Sequence, residues 1–429
     1  MHRESVRLSR RQFLRHALAA AASASLWQSA TAAIGKCRPV IAGSYWTYDA
    51  AESAKWGAAE WGEELDRQAA LGFHMLWIAN AQEGVTEKNL APFSTLMGLC
   101  AARNIKVMLG AGTTPAWEGR LDVKHELAFC GRNIRNISDR FKQHPAFWAW
   151  YIPHEIYMCW GAGDTFVQAL FPALVERCKD GAHRPVTISP FFILDRDKVF
   201  GDFRFNEPDE YSKYWAALIR RAGLDIVMLQ DSGEHFSYVT NDMRRPFFQA
   251  MQHACQAGGA RFWGNVEVAE FDCLSKEEFI RRYGRVHQSM VKPGPWRPVP
   301  IPRLRQKLEL AAEYCEDIVS WGYQEWCRPA LGDAARSWCA GYKEYLAAST
   351  LTKPVAGEGV QSPLPSGALP LLGEAGLYPN SFGVWLDTSV PRRSALVLIS
   401  PALEHEGRQT HTMKKQTISR DPGRQTVTD

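Results

Sequence analysis

Two glutamates are placed to do chemistry in this sequence. Glu155 lies in the stretch WAWYIPHEIY, residues 148–157, and Glu267 lies in FWGNVEVAEF, residues 262–271. In both, an apolar, strand-like run leads into the carboxylate. Side chains alternate along a strand. Phe147, Ala149, Tyr151, Pro153 and Glu155 therefore share one face, and Trp263, Asn265 and Glu267 share another. If both faces line one pocket, two carboxylates converge there, which is the machinery of glycosidic bond hydrolysis. A carboxyl in an apolar setting stays protonated and serves as the acid, while its ionised partner attacks the anomeric carbon. A separation of roughly 5–5.5 Å leads to retention and about 6.5–9.5 Å to inversion. A single strand-end glutamate is more often a solvated loop residue, so the pair carries the reading.

The elements that must hold this pair are legible as a repeat. Strand-like runs occur at 40–46, 74–80, 105–112, 147–153, 185–192, 225–231, 261–267 and 318–324, and amphipathic helical runs alternate with them. Near-continuous apolar strands separated by helices mean a parallel sheet covered on both faces. Eight such units predict an α/β fold of the (β/α)8 TIM-barrel type. A doubly wound open sheet fits less well: the count is eight, and GAG at 110–112 is not a GxGxxG phosphate fingerprint.

The C-terminal strand ends of such a barrel face the active site. The expected catalytic pair is Glu155 as acid/base and Glu267 as nucleophile, with Glu270 and Glu325 in reserve. The expected substrate-binding residues are Trp46, Tyr48, Asn80, Tyr151, His154, Gln230, Asp231, Asn265, Trp321 and Trp326. Indole faces stack on the CH-rich face of a pyranose, although each tryptophan alone is more often core packing.

Other chemistries fit less well. HEIYM at 154–158 lacks the second His of HExxH, and the first strand has no H-x-H. No G-x-S-x-G elbow occurs. QDSGEH at 230–235 holds Ser, Asp and His close together, but triads are assembled from distant positions. No metal and no cofactor is expected. The expected activity is cleavage of a poly- or oligosaccharide, by a retaining two-carboxylate route. The rival readings are a non-catalytic saccharide-binding barrel and a metal-dependent periplasmic hydrolase.

The ends of the chain differ from its middle. SRRQFLR, an apolar run and ATAA make residues 1–32 a twin-arginine export signal, and the twin-arginine machinery an expected partner. The expected location is the periplasm or the exterior. Residues 33–350 form the barrel domain. Residues 351–429 read as a Pro/Gly-rich linker, at most a small β module, and a disordered tail. The signal carries five arginines and one glutamate, and the whole chain is +4, so the remainder is near neutral. That argues against a nucleic-acid partner, and no run is long and apolar enough for a stable membrane span. The ten cysteines include no C-x-x-C pair.

With these residues placed, WAWYIPHEIY, ISPFF, DIVMLQDSGE and FWGNVEVAEF resemble, in order and spacing, the DUF4434 family over roughly residues 39–330. The resemblance implies a TIM-barrel glycoside hydrolase. The matching positions are Trp150, Tyr151, Pro153 and Glu155, then Gln230 and Asp231, then Trp263 and Glu267. The sequence is also similar to the larger retaining clan of barrel glycosidases, which implies an acid/base after strand four and a nucleophile after strand seven. That clan has Asn before the acid where His154 stands here, and Ala149 replaces an expected glycine.

Overall fold

A computed structural model describes residues 38–351 apart from 50–51, 116, 201–202, 233, 287–290 and 292–295. The export segment and residues 352–429 of the appendage lie outside them. The strands are β1 (Gly43–Thr47), β2 (Met75–Ala79), β3 (Lys106–Gly110), β4 (Phe147–Ile152), β5 (Val186–Ile188), β6 (Ile226–Gln230), β7 (Arg261–Asn265), β8 (Ala269–Phe271), β9 (Trp296–Pro298) and β10 (Asp317–Ser320). Eight of them close a parallel barrel in the order β1-β10-β7-β6-β5-β4-β3-β2, while β8 and β9 form a separate antiparallel ribbon. The barrel is the expected (β/α)8 fold. Its strands fall on the eight runs read from the sequence. The ribbon was not foreseen, because three-residue strands give no measurable alternation.

The parallel strands are buried on both faces, so the core has two layers. Tyr45, Trp77, Met108, Tyr151, Met228, Trp263 and Val319 fill the barrel interior. Tyr45 meets Trp77 edge-on at 5.4 Å, and Trp77 meets Tyr151 at 4.6 Å. The alternate residues, among them Trp46, Leu76, Ile78, Leu109, Trp150 and Val227, pack outward against the helices. Burying each such side chain is worth about 1.5–3 kcal/mol. Neighbouring strands come close at Gly43, where a Cβ would lie 2.5 Å from that of Met75.

One expectation about β4 needs correction. Val107 pairs with Phe147 but Met108 pairs with Ala149, so Trp148 is an extra residue in a bulge. Phe147 thereby turns into the outer layer. Trp148 instead stacks on Trp263 at 5.9 Å. The inward face of β4 runs only from Ala149. At the mouth the β1–β10 seam is tied by Gln324, which accepts from the Thr47 N–H at 2.6 Å and donates to the Thr47 carbonyl at 3.2 Å.

Candidate active site

Polar side chains gather where β4 to β7 end. Pro153 stops β4, and Glu155 follows, 7% exposed. Gln230, the last residue of β6, donates from Nε2 to Glu155 Oε1 at 2.6 Å and to the Ser189 carbonyl at 3.2 Å. Ser189 follows β5; its hydroxyl accepts from Asn265 Nδ2 at 3.1 Å and donates to the Met228 carbonyl at 2.8 Å. Asn265 ends β7 in register with Gln230. A hydrogen-bonded arc thus runs across four strand ends. Glu267 lies two residues beyond it on the same inward face, 2% exposed. Its Oε2 is hydrogen-bonded to His235 Nδ1, and its Oε1 has no hydrogen-bond partner.

An aromatic wall stands over this side of the mouth. The His235 ring lies 5.5 Å from Trp321 and 5.6 Å from Trp296. Trp296, carried by β9, stacks on Trp326 at 5.1 Å.

Two electrostatic settings result. Burial pushes Glu155 up to about 8; the Gln230 donor opposes this, and the charges of Glu267 and Glu118 reinforce it. Glu267 belongs to a buried charged cluster. Lys307 Nζ reaches Asp231 Oδ2 at 2.9 Å and the Glu267 carbonyl at 2.6 Å. Arg244 Nε donates to the Asp231 carbonyl at 2.8 Å. Burial raises Asp231, but Lys307 and Arg244 outweigh it and hold Asp231 below the usual carboxylate range. Glu267 is held well above the usual carboxylate range: burial and the Asp231 charge push it up, and Lys307 and Arg244 offset them only in part. Burial drives His235 down to about 3, so its imidazole is neutral.

Residues 41–332 match the family described as "Domain of unknown function (DUF4434)". The chain belongs to the DUF4434 family. No curated protein sequence matches it. A candidate alpha-L-fucosidase from Bacteroides thetaiotaomicron superposes with TM-score 0.56 at 17% identity, over 73% of this chain and 95% of its own. A family 5 (subfamily 18) glycoside hydrolase from Streptomyces cattleya, solved with GlcNAc, gives TM-score 0.46 at 11% identity, over 75% and 82%. A family 5 glycoside hydrolase from Bacteroides vulgatus gives 0.43 at 13%, over 70% and 65%. The first likeness is one of fold, and the other two are looser and add nothing to it.

In the DUF4434 barrel several expected site residues lie elsewhere. Trp46 points outward from β1, because Tyr45 takes the inward face, and packs on Trp61 at 5.1 Å. Tyr48 also turns outward, edge-on to Phe93 at 4.9 Å. His154 turns away from Glu155 and bonds Glu126. Asn80 adopts φ 52, and its Oδ1 accepts from Gln82 Nε2 at 3.2 Å. Tyr151 sits one layer below the mouth, its hydroxyl pushed up by burial and by the Glu155 charge. Glu270, a reserve carboxylate, is held by Arg297 at 3.0 Å and Arg303 at 2.7 Å, which ties down the ribbon. Glu325 lies in the turn after β10; neither of its oxygens has a hydrogen-bond partner, and burial pushes it up to about 8.

The structure also adds residues to the DUF4434 site. Ser189, His235, Arg244, Trp296 and Lys307 join it, and Glu118, raised to about 7 by burial and by the Glu126 charge, adds a carboxyl whose charge also bears on Glu155. Lys307 left a signal: it interrupts the apolar helical stripe of Leu304, Leu308 and Ala311. Glu126, Cys130 and His154 form a buried trio whose donor atoms lie within 4.8 Å of one another. Each of the three is already hydrogen-bonded within the protein.

Proposed function

We propose that this DUF4434 barrel is a glycoside hydrolase in which Glu155 is the acid/base and Glu267 the nucleophile of a retaining reaction. The observation that carries the reading is the burial of Glu155 and Glu267 on one hydrogen-bonded rim, with the Lys307 cation against the backbone of Glu267. Glu155 is raised to about 8 and so holds a proton at neutral pH. Glu267 is itself raised by burial and then by the Asp231 charge, and the neighbouring Lys307 and Arg244 oppose this, favouring the ionised form that the attack needs. Glu155 gives its proton to the departing glycosidic oxygen as Glu267 Oε1 bonds the anomeric carbon. The leaving alcohol departs, and Glu155, now ionised, takes a proton from water. The hydroxide so generated attacks the anomeric carbon and releases Glu267. His235 holds Oε2, leaving Oε1 to attack. Gln230 orients Glu155, while Asn265, Trp296, Trp321 and Trp326 border the space for a sugar ring.

The substrate in this reading is a poly- or oligosaccharide. Residues 1–32 would carry the folded chain through the twin-arginine route to the periplasm. The nine described cysteines are all free and buried, which suits folding in a reducing compartment before export. A reducing-sugar screen of purified protein against bacterial polysaccharides tests the activity. Release of reducing ends by the wild type is expected. Glycan binding without release, unchanged by loss of both glutamates, would favour a non-catalytic binding barrel.

A further inference from the structure

We infer that Glu126 is a positioning residue for Glu155, acting through His154. This rests on the hydrolase reading above. His154 and Glu155 are consecutive, and their side chains bond different partners, Glu126 and Gln230, so whatever fixes the one ring also fixes the backbone that aims the other carboxyl. His154 is 1% exposed. Its Nε2 lies 3.0 Å from Glu126 Oε1. Its ring is gripped edge-on by Trp117 at 4.8 Å and Phe171 at 6.1 Å.

Glu126 lies in the first turn of the helix Val123–Phe141, which Asp122 caps by accepting from the His125 N–H at 2.9 Å. It is 1% exposed. Besides His154, its Oε1 accepts from the Thr114 N–H at 2.8 Å, and its Oε2 accepts from the Thr114 hydroxyl. One helical turn on, Cys130 Sγ donates to the Gly112 carbonyl at 3.1 Å. Three mouth elements therefore meet at one carboxylate: the loop after β3, the start of this helix, and the exit of β4. Burial raises Glu126, but His154 and Thr114 outweigh it and keep Glu126 ionised. A buried carboxylate with this many donors is a stiff joint, because any donor removed leaves a desolvated charge short of a partner. Glu155 leaves that joint directly toward Gln230 Nε2, at 2.6 Å. Glu126 does not touch the proposed reacting atoms; it sets where the acid stands.

The test compares Glu126→Ala and Glu126→Gln on two glycosides of the sugar that the wild type cleaves: a 4-nitrophenyl glycoside and a methyl glycoside. Only the methyl glycoside, a poor leaving group, needs strong protonation of the departing oxygen. Glu126→Ala should lower kcat on it by ~10²-fold, the scale of a displaced catalytic group, with little change in KM. The loss on the nitrophenyl glycoside should be much smaller. Glu126→Gln should restore most of the rate, because its amide oxygen still accepts from His154 and Thr114. If Glu126→Ala does not fold, Thr114→Val, which removes one donor, should give the same leaving-group pattern at smaller size. Equal losses on both glycosides, or a change in KM alone, would overturn the positioning role. So would stoichiometric zinc in the wild type that is lost in Glu126→Ala. Glu155→Gln, run in parallel, separates the two claims. If it shows no leaving-group dependence, the hydrolase assignment fails; if it does and Glu126→Ala does not, only the positioning role fails.

Discussion

His235 Nδ1 is hydrogen-bonded to Glu267 Oε2, and Glu267 Oε1 is left without a hydrogen-bond partner. The two oxygens of one carboxylate are thereby made unequal. One is oriented by a neutral ring, and the other is not. Replacing His235 with Ala frees the carboxylate to rotate. The expected result is a fall in kcat on the order of 10²-fold, the scale for losing one preorganised donor, with KM little changed. Steady-state kinetics on the cleaved glycan decide it, and an unaltered kcat would remove His235 from the site.

Lys307 is a buried cation serving Asp231 and Glu267. Its removal leaves two buried carboxylates facing Arg244 alone. Lys307→Met should destabilise the fold by ~3–5 kcal/mol, the scale for breaking a buried pair from one side. Adding Asp231→Asn should recover a large part of that. Urea unfolding of both variants measures it. A single variant as stable as the wild type would mean that the cluster is not held by its charges.

In the proposed mechanism, Glu155 makes both activity and stability depend on pH. Its folded value, about 8, stands above the ordinary 4.5. The folded state thus holds this proton more tightly than the unfolded chain does. Its contribution to stability is complete below pH 4.5 and is lost as pH rises toward 8. Glu155→Gln has no such loss. It should melt near the wild-type temperature at pH 4 and above it at pH 8. On the activity side, kcat/KM of the wild type should fall above about pH 8 as the acid loses its proton. Melting curves and rate profiles across this range check both signs.

Trp296 reaches the mouth from the β8–β9 ribbon and stacks on Trp326. Trp296→Ala should raise KM for the glycan several-fold, in the range of one lost aromatic contact of about 0.5–1.5 kcal/mol, and leave kcat nearly unchanged. A change confined to kcat would show that the ring shapes the catalytic centre instead of binding sugar.

How much of this was legible in the sequence depended on which face of a strand carries contrast. β4 and β7 end in a carboxylate after an apolar run, so the offsets of Glu155 and Glu267 could be read directly. β1 offered no such contrast. Both faces of GSYWT are buried, so the sequence did not say that Tyr45 faces in and Trp46 out. The bulge at Trp148 left no mark either, because an extra tryptophan in an apolar run looks like the rest of it. His154 was misplaced for a related reason: alternation puts it opposite Glu155, but its partner Glu126 comes from a helix far away in sequence. His235 was visible in QDSGEH, but its role depends on Glu267, which only folding brings to it.

In the proposed reaction, Glu155 and Glu267 act as a pair on a glycosidic bond. The most direct measurement is the rate of reducing-end release by wild type, Glu155→Gln and Glu267→Gln on the same polysaccharide, each variant first shown to be folded. Measurable release by the wild type and at least a ~10²-fold loss in each variant are expected. A folded variant of either glutamate that releases reducing ends at the wild-type rate would contradict it.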